Sequence, residues 1–120
     1  MLAAVFATSM SVPPYALAQT DMNALMGGNV VTLADAGGEY ALALPVAGPV
    51  QRLRTRKGAD VMLRISSNKA EELHLHGYDI KLKLKPGEPG AMTLKATRSG
   101  RFELETHNGH RTVLILEVMP

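Results

Sequence analysis

Short runs in which apolar and polar residues alternate, broken roughly every ten residues by turn chemistry, constrain this chain more than any other feature. Val61, Leu63 and Ile65 alternate with Met62, Arg64 and Ser66, and Ile80, Leu82 and Leu84 with Lys81, Lys83 and Lys85. Met92, Leu94 and Ala96 alternate with Thr93, Lys95 and Thr97, and Phe102, Leu104 and Thr106 with Glu103, Glu105 and His107. Between these runs stand Lys57-Gly58-Ala59-Asp60, Ser67-Asn68-Lys69, Pro86-Gly87-Glu88-Pro89-Gly90 and Ser99-Gly100. Tyr40 to Pro45, Val50 to Arg56 and Thr112 to Val118 complete the set, with Leu73 to Gly77 continuing or kinking into Tyr78 to Lys85. Successive side chains of a strand point to opposite faces, so each run has one core face and one wet face. No helical period of useful length competes. The pattern predicts roughly seven or eight short strands in an all-β antiparallel sandwich or barrel, with the alternating Lys and Glu residues on a solvated face.

At 120 residues the chain has room for one domain. A net charge of +2 and 4% aromatic residues are too little for a nucleic-acid stacking surface. Cysteine is absent, which excludes disulfides, iron–sulfur clusters, thiolate zinc sites, cysteine nucleophiles and a copper thiolate. There is no Gly-rich phosphate loop and no nucleophile elbow. Arg52, Arg54, Arg56 and Lys57 form a basic group that alternation alone turns towards solvent, where it can also meet an anionic partner.

The first Lys or Arg is Arg52, and residues 1–19 carry no charge. An apolar stretch, the Pro13-Pro14 break and Ala16-Leu17-Ala18 read as a secretory signal cleaved after Ala18, without the usual positive n-region. The run is too short and too interrupted for a membrane span. This predicts a signal over 1–18, a Gly-rich lead-in over 19–38 with a short strand at Val30 to Leu33, and a domain over 39–120 that is periplasmic or secreted. Met22 and Met26 are spaced for one helix face or for thioether binding of Cu(I).

All four histidines fall in two short clusters, His74 and His76 in ELHLHGYD and His107 and His110 in ETHNGH. Residues two apart on a strand share a face, so His74 and His76 project together. Asn108-Gly109 is turn chemistry that folds His110 back beside His107. If both pairs meet at one end of the sandwich, their nitrogens suit a divalent metal, and a site of nitrogen and oxygen donors favours Cu(II). Glu103 and Glu105 are close enough in sequence to orient the rings or add an oxygen. The plain alternative is hydrogen-bonded or surface histidines. Tyr78 either lines the site or packs at an edge.

From Val50 to Met119 the chain resembles the cupredoxin family. The phrases that carry the likeness are RTRKGADVMLRISSN, ELHLHGYD with its His-x-His-Gly, KPGEPGAMTLKAT, SGRFELETHNGH and the closing LILEVMP, in that order. The resemblance implies a Greek-key sandwich with a copper site. It sets the family's upstream copper His at His76, its downstream His at His110 or His107, and its Cys at Thr106; Met119 stands too far along for the axial Met. A hydroxyl cannot replace the thiolate ligand, so a blue-copper electron-transfer centre is not expected. What remains is an exported domain that binds copper, or another divalent metal, through His74, His76, His107 and His110. It would serve metal handling or sensing, without catalysis, beside a periplasmic protein partner. The alternative is a metal-free structural or protein-interaction domain.

Overall fold

The computed structural model describes residues 29–120. Their alternating runs fold as β1 (Val30–Thr32), β2 (Gly37–Leu44), β3 (Gln51–Arg56), β4 (Asp60–Ser67), β5 (Glu71–Leu75), β6 (Ile80–Leu84), β7 (Gly90–Lys95), β8 (Gly100–Thr106) and β9 (Thr112–Met119). Two sheets stack as a sandwich, one ordered β1-β3-β9-β8-β5-β6 and the other β2-β4-β7. Between them lies a leucine-rich core in which Leu53, Leu63, Ile65, Leu73, Leu104 and Leu114 are fully buried. Phe102 and Tyr78 only pack against its edge. No helix among the described residues is long and apolar enough to cross a membrane.

Three details depart from the expectation. The sandwich is not wholly antiparallel: β1 pairs with β3, β2 with β4 and β3 with β9 in parallel. Neighbouring strands come from distant segments because the chain crosses between sheets instead of turning back within one. Leu73 to Lys85 is not one kinked strand but a hairpin, with Leu75 opposite Ile80. The reversal is made by His76-Gly77-Tyr78-Asp79, with Gly77 at φ 88° and Asp79 at φ 58°, closed by the Asp79 N–H donating to Leu75 O at 2.9 Å.

Third, the short strand expected at Val30 to Leu33 is present as β1, and it and the start of β2 at Gly37 join the sheets ahead of residue 39. Val31 and Leu33 are buried, and β2 begins at Gly37, whose φ of 111° and approach to Asp60 leave no room for a Cβ. The 1–18 segment, Met22 and Met26 lie outside the described residues.

The basic group finds a partner on the outer face of the six-stranded sheet. Glu117 sits opposite Arg54 on β3 and Arg101 on β8. Its carboxylate lies 3.5 Å from Arg52, 3.1 Å from Arg54 and 3.9 Å from Arg101. Arg56 instead pairs with Asp35 at 3.3 Å. On the other sheet Arg64 pairs with Glu39 and Lys95 with Asp60, while Lys81 and Lys83 face solvent. The expected wet face is largely an array of cross-strand ion pairs.

Candidate metal centre

Strand parity decides where the histidines point. On β5 the inward positions are Glu71, Leu73 and Leu75, all buried, so His74 and His76 stand on the outer face. On the neighbouring β8, Leu104 and Thr106 turn inward and Glu105 outward. His74 is directly opposite Glu105 in the ladder, and the His76 N–H donates to Glu103 O at 2.9 Å. The two rings of the first cluster are 4.5 Å apart, centroid to centroid.

Glu105 joins the two clusters. One of its oxygens, Oε1, lies 2.9 Å from His76 Nε2 and 3.9 Å from His110 Nδ1. It can reach both because the β8–β9 ladder shifts register between Leu104 and Glu105. Beyond that shift the 107–111 turn brings His110 back over the outer face at φ 49°, a left-handed conformation that histidine tolerates better than most residues. Ligands held at about 2.1 Å by one ion stand roughly 3 Å from each other, so His76 and Glu105 already have ligand spacing and His110 lies somewhat outside it. Among the described residues no three such groups form a finished metal cage.

The other histidines lie beside this unit. His74 Nε2 is 3.0 Å from Asp79 Oδ1, which ties it to the hairpin turn. The His107 ring is 6.3 Å from that of His110, and the His107 backbone N–H donates to Glu72 O at 2.7 Å. Glu103 turns elsewhere, accepting from the Thr112 hydroxyl at 3.1 Å. His76, Glu105 and His110 are thus brought together; His74 adjoins through its ring, and His107 stands apart.

The turn bearing His76 is clamped. A Cβ on Gly77 would lie 2.3 Å from the Phe102 ring, so only glycine lets β8 pack beneath it. Tyr78 meets Phe102 edge to face at 4.7 Å. Its hydroxyl donates to Arg98 O at 2.8 Å and accepts from Arg98 N at 3.2 Å. The Arg98 guanidinium lies 5.1 Å over the Tyr78 ring and donates to Gly77 O. The His-Gly-Tyr phrase and the later Gly-x-Phe phrase are one packing unit, and Tyr78 serves packing. Arg98, which no sequence pattern singles out, completes it.

The inner face of the same strands answers for the blue-copper position. Thr106 is buried opposite Leu73, three residues along the ladder from His76 and on the opposite face of the sheet. Its hydroxyl is committed to its own loop, donating to Asn108 O at 2.8 Å and accepting from Arg111 N at 3.2 Å. The residues at this position do not fit a type 1 copper ion, since they supply neither thiolate nor imidazole. His76, which the resemblance sets beside Thr106, stands on the other face of the sheet, and the inward residue at that end of β5 is Glu71.

The metal-binding domain of the Streptococcus pneumoniae D39 Cu(I)-exporting P-type ATPase CopA superposes with a TM-score of 0.62 at 15% identity, covering 76% of this chain and 96% of that one. Rusticyanin from Thiobacillus ferrooxidans gives 0.60 at 12%, covering 82% and 92%. A copper-binding protein in its apo form gives 0.59 at 11%, covering 74% and 94%. No family model and no curated protein matches the chain. The fold is cupredoxin-like. Identities this low establish that fold and nothing finer.

Proposed function

We propose that this chain is an exported copper-handling domain that holds Cu(II) on the outer face of its six-stranded sheet through His76, Glu105 and His110. The observation that carries the reading is the single Glu105 oxygen shared by His76 and His110. It joins two segments that are far apart in sequence at one point. Nitrogen and oxygen donors suit Cu(II), and copper binding by similar folds supports the choice of metal. His74, in ring contact with His76, is the reserve ligand. The shape of the site favours delivery over catalysis: His76 lines a shallow concavity together with Glu105, and the side chains of His76 and His110 are both exposed, so an acceptor's ligands can approach the ion and exchange. Imidazoles bind metal only when deprotonated, so acid releases it. The uncharged segment ending at Ala18 supports export to the periplasm or beyond, where a protein partner would receive the ion.

The test is Cu(II) electron paramagnetic resonance on the full chain. Nitrogen hyperfine structure from two imidazoles is expected, reduced to one or lost in His76→Ala and in His110→Ala and unchanged in His107→Ala. One observation favours a second reading, a metal-free interaction domain: the absence, among the described residues, of a finished three-ligand cage. A spectrum no different from free aqueous Cu(II) selects it.

A further inference from the structure

On the inner side of the β5–β8 pair, at the end away from the hairpin turn, lies a cavity of about 420 Å³. That is within the range of small-molecule sites, roughly 300–1,000 Å³. Leu44, Pro45, Val46 and Val113 give it an apolar wall. Glu71 lines the opposite side, its side chain only 6% exposed. Its Oε1 has no hydrogen-bond partner among the described residues, and its Oε2 has only Lys69 at 3.8 Å, a side chain 67% exposed. Several other polar groups of the lining are already engaged. Thr106 bonds within its own loop, and the Ser67 hydroxyl accepts from Lys69 N at 3.2 Å. A buried carboxylate oxygen left unpaired is costly, and no donor among the described residues is bonded to Glu71 Oε1.

We infer that this cavity is a binding site for a small neutral amphiphile, an apolar body carrying one O–H or N–H donor such as a phenol, alcohol or primary amide. The apolar body covers the Leu44–Val46 wall and the donor satisfies Glu71 Oε1. The charge around the mouth selects a neutral ligand: Lys69 and Arg111 oppose a cation, and Glu71 opposes an anion. A metal ion would find one carboxylate and hydroxyls already in use. The site is independent of the outer-face histidines and stands or falls without them.

The probes are p-cresol and toluene, matched in shape and differing in the hydroxyl, titrated into the full ¹⁵N-labelled chain. Saturable shifts are expected at the amides of Ser67, Glu71, Thr106 and Val113. The affinity for p-cresol should exceed that for toluene by roughly tenfold or more, the worth of one hydrogen bond to a charged acceptor. Glu71→Leu should erase the preference while still binding toluene. If Glu71→Leu does not fold, Glu71→Gln, which keeps an acceptor oxygen, should shrink the preference, and Val46→Trp, which fills the cavity, should block both probes. Equal binding of the two probes, or a preference unchanged in Glu71→Gln and Glu71→Leu, overturns the assignment. So does an absence of shifts, which would leave Glu71 satisfied by water alone, or a response of the same amides to Zn²⁺ in place of p-cresol.

Discussion

The two faces of the β5–β8 strand pair are built from interleaved residues and do opposite things. Inward stand Leu73, Leu75 and Leu104, fully buried, together with Thr106 and Glu71 at one end. Outward stand His74, His76 and Glu105, with His110 folded over them from the next turn. A strand offers each residue one of two faces, so a single-residue slip would exchange the core leucines for the histidines and Glu105. In this chain the cupredoxin-like frame keeps its core on one side and places its histidines on the other.

The largest effect belongs to the inner face. Leu104→Ala should cost about 2–5 kcal/mol in urea unfolding through the lost burial and the cavity left behind. His74→Ala, one ladder position away on the outer face, should stay within about 0.5 kcal/mol. Gly77→Ala attacks the turn that links the faces. It places a side chain at positive φ and into the Phe102 ring, with an expected loss of about 1–3 kcal/mol, and it should displace His76 enough to weaken Cu(II) binding in the same preparation. Glu117→Gln sharpens the comparison by removing the anion from among Arg52, Arg54 and Arg101. It should cost about 1 kcal/mol at low salt and less at high salt, because the arginines around the largely buried Glu117 are exposed to screening ions. The smallest stability change is expected for Glu105→Gln, near zero in unfolding yet with Cu(II) affinity markedly reduced by calorimetry. A large stability loss there would mean that Glu105 serves the fold first.

Much of the frame was legible because alternation and turn residues carry it. The runs at Val61 to Ser66, Met92 to Thr97 and Phe102 to His107 became β4, β7 and β8 with the expected inward residues. The parallel pairings were not legible, because which strand lies beside which is settled by crossovers between sheets and not by any local pattern. His76-Gly77-Tyr78-Asp79 read as a kink because the apolar run resumes at once at Ile80; only the positive φ angles of Gly77 and Asp79 reveal a full reversal. At the site, Glu105 was legible as an oxygen near the histidines, and it approaches one ring of each cluster, His76 and His110; that His107 would stand apart was not legible. Glu71 was overlooked although parity pointed to it: it stands two residues before Leu73 and therefore faces inward. Glu117 was overlooked too, a lone acidic residue in LILEV whose arginine neighbours Arg52 and Arg54 come from a strand far away in sequence.

Two double variants, each followed by calorimetric titration with Cu(II), test the central claim most directly. His76→Ala with His110→Ala removes the two proposed imidazole ligands from the outer face, whereas Glu71→Leu with Thr106→Val removes the polar groups at the inner end of β5 and β8. The account predicts that stoichiometric Cu(II) uptake is lost in the first and kept in the second. Uptake retained without His76 and His110, but lost without Glu71 and Thr106, would contradict it.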